Sequence, residues 1–222
     1  MLFYTTSREK RERYALLYLL QDMPAPVNRD SGYFEAVASR IIELIYASHG
    51  HTMILFTSYR MMEQIHNELS RQVTEFPLYR MGKGRLDALD AFRNSRNGVL
   101  CTSDSAGEGI DLAGDILSSL IVVRLPFPAP DPVLEYEKTL YPDFYGYLNK
   151  VIVPEMLFKL RQWTGRGIRR ESDTCVFSIL DSRAGRRYKN DILSALPDMP
   201  VTERLSDVSR FIRSKKDNAY FE

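Results

Sequence analysis

Four short, largely apolar runs constrain this chain more than any other feature: Met53-Ile54-Leu55-Phe56, Gly98-Val99-Leu100-Cys101-Thr102, Ser118 to Val123, and Cys175 to Leu180. Each has the length of a strand and none alternates apolar with polar residues. A strand covered on one face alternates, whereas one covered on both faces is apolar throughout, so these runs predict strands of a parallel sheet buried beneath helices. Pro77-Leu78-Tyr79-Arg80 is a shorter candidate of the same kind.

The segments between these runs have helical periodicity. From Tyr33 to Ala47, Phe34, Val37, Ala38, Ile41, Ile42 and Ile45 recur at the spacing of one helix face, and the helix is expected to end in a turn at His49-Gly50-His51. Met62, Ile65 and Leu69 mark a second helix with Ser58 as its N-cap, and Leu86 to Phe92 a short third one. Val201, Leu205, Val208, Phe211 and Ile212 predict a carboxyl-terminal helix, with a polar tail beyond Ser214 expected to fray. Strands alternating with helices define an α/β three-layer sandwich with a mostly parallel central sheet.

With 222 residues, 44% of them hydrophobic, the chain can bury a core of that size. Residues 1–32, ending in Pro24-Ala25-Pro26 and Asn28-Arg29-Asp30, are expected to form a lead-in, and 33–222 the domain. Between Leu125-Pro126-Phe127 and Pro154 the pattern changes to prolines and aromatics, among them Tyr136, Tyr141, Phe144, Tyr145 and Tyr147. A helical elaboration over about 131–160, inserted between two late strands, is expected there. Its aromatics either pack it onto the sheet or stack nucleobases, and packing is the commoner role of such residues.

Composition excludes several functions. Thirty Lys and Arg against 29 Asp and Glu give no bulk charge for attracting nucleic acid, so any such binding rests on local patches. Lys159, Arg161, Arg166, Arg169 and Arg170 form one patch, and Arg183, Arg186, Arg187 and Lys189 another. Cys101 and Cys175 lie far apart in apolar runs and are expected to be buried thiols, with no four-cysteine zinc or iron–sulfur site. The three histidines suggest no metal ligand set either. No signal peptide or apolar run of transmembrane length is evident, which leads to the expectation of a cytoplasmic protein without a membrane partner.

Three segments carry the residue types of a ligand site. Thr57-Ser58-Tyr59 follows the first buried run, where hydroxyls and amides at a helix N-terminus suit phosphate oxygens or plain capping. Ser103 to Gly114 combines Ser103 and Ser105 with Gly107, Gly109 and Gly114, whose backbones can curl around a ligand, and with the carboxylates of Glu108 and Asp111. In Gln162-Trp163-Thr164-Gly165-Arg166-Gly167-Ile168-Arg169-Arg170, a continued helix would put Gln162, Arg166 and Arg169 on one face, either as an anion grip or as a solvated basic helix end. Gly165 and Gly167 each weaken a helix by roughly 1 kcal/mol, and a close backbone approach is a reason for their presence.

In this order the motifs resemble the C-terminal motor domain of superfamily 2 DNA helicases, most closely the DinG and XPD-like branch. Ile54 to Tyr59 resembles motif IV, Gly107 to Gly114 motif V, and Gln162-x-x-Gly165-Arg166-x-x-Arg169 motif VI; Leu125-Pro126-Phe127 and Leu180-Asp181-Ser182-Arg183 are also similar to the family. The resemblance implies a RecA-like fold and an ATP-dependent enzyme. It implies that Arg166 and Arg169 reach the γ-phosphate of ATP as arginine fingers, aided by Gln162 and Gly165. Glu108, Gly109 and Asp111 would couple nucleotide to DNA, and Thr57, Ser58, Tyr59, Ser103 and Ser105 would contact single-stranded DNA.

No Gly-x-x-x-x-Gly-Lys-Ser/Thr loop and no Asp-Glu-x-His box occurs in the sequence. ATP and Mg²⁺ would therefore be bound mainly by an N-terminal motor domain of the same helicase, and this chain alone is not expected to hydrolyse ATP. Any iron–sulfur cluster would also belong to that other part. The alternatives are a standalone nucleic-acid-binding or regulatory module with the same fold, and a small α/β enzyme using Glu108 and Asp111.

Overall fold

A computed structural model describes residues 14–25, 31–82, 87–103, 112, 114–168 and 173–222. Its strands are β1 (Ala15–Leu19), β2 (Thr52–Phe56), β3 (Leu78–Met81), β4 (Val99–Ser103), β5 (Ser119–Val122), β6 (Cys175–Ile179) and β7 (Val201–Thr202). They form one sheet in the order β3-β4-β2-β5-β6-β1-β7, and every neighbouring pair is parallel.

Alternation along the strands explains why apolar residues fill both faces of the runs. In β2, Met53 and Leu55 enter one core while Ile54 and Phe56 enter the other; in β6, Cys175, Phe177 and Ile179 face opposite to Val176. One face is covered by α1 (Ser31–Ala47), α2 (Tyr59–Gln72) and α9 (Leu205–Lys215). The other carries α3 (Asp87–Asn94), α6 (Val153–Thr164) and α8 (Lys189–Ala195). Each fully buried Leu, Ile or Phe contributes about 1.5–3 kcal/mol relative to exposure, and both cores are built of many such residues. Burial pushes the Cys101 thiol up to about 12 and raises that of Cys175 as well, so both are inert packing groups.

Two strands were not legible. Residues 15–19, expected within a lead-in, pair with β6 on one side and β7 on the other, so β1 is an interior strand. Val201 and Thr202, expected at the start of the last helix, belong to β7, and α9 begins only at Leu205. The tail also departs from expectation, because Tyr220 is buried and its hydroxyl donates to the Ser48 carbonyl at 2.7 Å.

The elaboration between β5 and β6 is helical, consisting of α4 (Pro132–Lys138), α5 (Phe144–Tyr147) and a π-helical turn (Leu148–Ile152) leading into α6. Pro154 has no N–H to donate into that turn, which accounts for the wider helix just before it. Leu134, Tyr147 and Val151 make a small separate core, and the Tyr147 hydroxyl donates to the Leu134 carbonyl at 3.0 Å. Of the five aromatics, only Tyr147 is buried; Tyr141 is half-buried, while Tyr136, Phe144 and Tyr145 face solvent. Packing therefore explains fewer of them than expected.

Candidate functional site

The residues singled out in the sequence fall at two ends of the sheet. At the carboxyl ends, β2 and β4 are in register with Phe56 opposite Ser103, so Thr57-Ser58-Tyr59 and Ser103 share an edge. Ser58 has extended backbone and its hydroxyl accepts from the Met61 N–H at 3.3 Å, capping α2. Thr57 and Tyr59 are exposed and Ser103 is buried. The Tyr59 ring leans over Gly82 just past β3, where an added Cβ would lie 3.5 Å from it. The residue is 48% exposed, which leaves its ring accessible to a ligand.

The same edge continues over β5 and β6, where two further motifs meet. Asp181, fully buried beyond β6, caps α7 (Ser182–Gly185) by accepting from the Arg183 N–H at 3.0 Å. It also accepts the Leu125 N–H at 3.1 Å and a two-pronged Arg183 guanidinium at 2.9 and 2.7 Å. That guanidinium lies 4.9 Å from the Phe127 ring centre. Leu125-Pro126-Phe127 and Asp181-Ser182-Arg183 are thus one tertiary unit. Beside it the Arg124 Nε donates to the Tyr33 hydroxyl at 3.0 Å, and its guanidinium covers the Tyr33 ring. Burial pushes the Tyr33 phenol up, and the Arg124 hydrogen bond acts against that shift.

The segment Gln162 to Ile168 lies elsewhere. Helix α6 buries Met156, Leu160 and Trp163 and leaves Gln162 on its solvent side, but it ends at Thr164. Gly165 follows as the C-cap, its N–H reaching the Arg161 carbonyl at 3.0 Å, and the Arg166 N–H reaches that of Trp163 at 3.1 Å. Beyond Thr164 the α-helix expected to continue tightens into a turn, with helical backbone at Gly165 and N–H groups of Arg166 and Gly167 bonded three residues back. Gly167 in this turn is closely packed: an added Cβ would sit 2.6 Å from the Cys175 sulfur and 2.7 Å from the Phe177 ring. The close approach expected of the glycines is, at Gly167, an approach to β6.

This turn therefore stands near the amino end of β6 and not at a carboxyl end. Beside it, Leu112 shares the core that holds Trp163 and Phe177. The Gly114 N–H donates to the buried Asp173 carboxylate at 3.3 Å, joining the end of the glycine-rich segment to the residue just before Thr174 and β6. Asp173 carried no signal beyond a carboxylate before an apolar run, whereas Asp181 lay within the Leu180-Asp181-Ser182-Arg183 motif, though without a sign of its buried hydrogen bonds. Ser105, Glu108, Gly109, Asp111 and Arg169 lie outside the described residues. Among the described residues no group of three or more His, Cys, Asp or Glu side chains is arranged to hold a metal ion, and no helix is long and apolar enough to cross a membrane.

Comparison with known proteins supplies the class. Residues 41–199 match the helicase C-terminal domain family. Over 206 residues the chain is 31% identical to the ATP-dependent DNA helicase YoaA of Escherichia coli (strain K12), covering 90% of this chain and 32% of that protein. It is 29% identical to the 3'-5' exonuclease DinG of Bacillus subtilis (strain 168), covering 85% and 22%. In fold it matches an XPD helicase structure with a TM-score of 0.67 at 22% identity, covering 87% of this chain and 36% of that one.

The chain belongs to the helicase C-terminal domain family, in its DinG and XPD-like branch, and has the RecA-like fold of those domains. It spans about a third or less of the length of these curated relatives.

Proposed function

We propose that this chain is the second motor domain of an ATP-dependent DNA helicase, residues 33–222 completed by β1 from the segment before them. In this reading it supplies arginine fingers and part of a single-stranded DNA groove, and it does not hydrolyse ATP by itself. The supporting observation is the joining of two motifs near the amino end of β6. The Gly114 to Asp173 hydrogen bond ties the end of the glycine-rich segment to the strand that follows the Gly165–Ile168 turn.

When bound, ATP supplies a phosphoanhydride that is cleaved with water as the nucleophile. The residues of this chain would orient and stabilise it. Arg166, on a turn held by Gly167 against β6, would pair with the γ-phosphate oxygens, and Arg169 would add a second cation. Gln162, exposed one turn earlier, and Gly165 would border that site. Glu108, Gly109 and Asp111 would couple the nucleotide to the DNA groove. There Thr57, Ser58, Ser103 and Ser105 would contact the DNA backbone, and Tyr59 would stack a base. Mg²⁺ and the other phosphate ligands would come from an N-terminal motor domain.

The test joins this chain to a first motor domain of the same family. ATP turnover stimulated by single-stranded DNA is expected in the joined protein and not in this chain alone. Arg166→Ala should lower turnover by roughly a thousandfold while leaving the chain folded. Undiminished turnover in that variant would remove the arginine-finger assignment.

A further inference from the structure

The carboxyl-terminal turn packs against a strained corner of the sheet. Between α1 and β2, His49, Gly50 and His51 have φ of 54°, 76° and 45°, three successive left-handed residues of which only the glycine adopts that conformation freely. The corner cannot relax toward β4, because an added Cβ on Gly50 would lie 1.9 Å from the Asn97 carbonyl oxygen. It is also a structural hinge, since the His51 carbonyl accepts the Ser118 and Ser119 N–H groups at 2.9 and 3.1 Å and so sets the start of β5.

Onto this corner folds the segment after α9. Its short 3₁₀ turn (Asn218–Phe221) is capped by Asp217 and places the Tyr220 ring flat on the His51 imidazole, with centres 4.0 Å apart and planes at 17°. Phe221 meets His49 edge-on, and Lys216 lies over Tyr220 while its ammonium pairs with Asp115. His51 is 95% buried by these contacts, and neither ring nitrogen has a partner in good hydrogen-bond geometry. A cavity of about 300 Å³ borders the stack, lined by His51, Arg96, Asn97, Asp115, Asp217 and Glu222 among others.

We propose that this segment is a pH-gated strap: neutral His51 holds Tyr220 and the turn docked, and protonated His51 releases them. A buried imidazolium without an acceptor is costly, and undocking returns the ring to water. The charged groups facing it are Asp115 and His49 on the sheet side, Arg96 across the cavity, and Lys216, Asp217 and Glu222 on the strap. Of these, Asp115 is already paired with Lys216, and Arg96 and His49 oppose a second positive charge. Burial holds the imidazole below the usual histidine range, and the neighbouring backbone of Asp115 and Tyr220 offsets this only in part.

The sign follows from linkage. The released state binds a proton near the ordinary histidine value, about 6.5, and the docked state binds it only at lower pH. Docking is therefore complete above about pH 6.5 and weakens as pH falls below it. Release also frees Lys216 from Asp115, in the 3₁₀ turn (Gly114–Ile116) that carries the Gly114 contact to Asp173.

Hydrogen exchange of this chain, read by mass spectrometry on peptides covering residues 216–222 and corrected for intrinsic rates, tests the strap between about pH 7.5 and pH 5. Protection is expected to fall on the order of tenfold per pH unit below the midpoint. His51→Phe keeps the stack and should make protection independent of pH. His51→Asn suits the left-handed backbone and should give weaker but equally flat protection, which keeps the test open if the phenylalanine strains the turn. His49→Asn should leave the pH dependence in place. Constant protection in the unmodified chain, dependence that survives both His51 variants, or dependence lost with His49→Asn would each overturn the proposal.

Discussion

Replacing Asp181 by alanine isolates the interaction that joins two separated motifs. The carboxylate is fully buried and accepts four N–H groups: those of Leu125 and Arg183 in the backbone and two of the Arg183 guanidinium. Removal leaves the Leu125 N–H, in a residue 2% exposed, without its partner, at a cost of about 1–3 kcal/mol. Loss of the cap on α7 adds about 1 kcal/mol. The guanidinium is 38% exposed and keeps its stack on Phe127, so its share is held to about 1 kcal/mol.

Asp181→Ala should therefore destabilise the chain by about 3–5 kcal/mol. At roughly 2–4 °C per kcal/mol for a domain of this size, the thermal midpoint should drop on the order of 10 °C. Urea unfolding followed by circular dichroism gives the free energy directly. In an Arg183→Leu background the same substitution should cost about 1 kcal/mol less, because the ion pair is already gone while the Leu125 N–H still loses its acceptor. A total loss below about 1 kcal/mol, or an unchanged cost in that background, would refute this assignment of the carboxylate.

Gly167→Val would force methyl groups into the Cys175 sulfur and the Phe177 ring, and should destabilise by at least about 1–3 kcal/mol in the same assay. Ser58→Ala should cost about 1 kcal/mol in the same assay through the lost cap on α2. The two thiols should resist Ellman's reagent at neutral pH in the folded chain and both react in urea, because burial raises their pKa values; prompt reaction of either one would contradict that burial. Tyr59→Ala should weaken binding of a thymidine oligonucleotide by about 1–3 kcal/mol, measured by fluorescence anisotropy, if the exposed ring stacks a base.

Much of the architecture was legible along the chain because its causes are local. The runs at 53–56, 98–102, 118–123 and 175–180 are mostly apolar, with only small polar residues such as Thr102, Ser118, Ser119 and Ser178 among them, since both faces of β2, β4, β5 and β6 are buried, and each strand appeared within a residue or two of its place. Ser58 announced α2, and the spacing of Phe34 to Ile45 announced α1, through forces acting over one or two turns. The motifs likewise indicated the family before any fold was seen, because the order of short residue patterns is itself a property of sequence.

Tertiary structure alone decided the rest. Ala15–Leu19 is a strand because β6 and β7 satisfy its backbone on both sides, and nothing within five residues distinguishes that from another apolar segment. The two-residue β7 exists only by pairing with β1. Gly167 lies against the side chains of Cys175 and Phe177, and this packing sets the turn that carries Arg166 near the amino end of β6, away from Thr57 and Ser103. The polar tail docks because one tyrosine among its charges meets the ring of His51. Local propensity and periodicity are written in neighbouring residues, whereas pairing partners, the choice of sheet end and the docking of a tail depend on contacts between residues far apart in the chain.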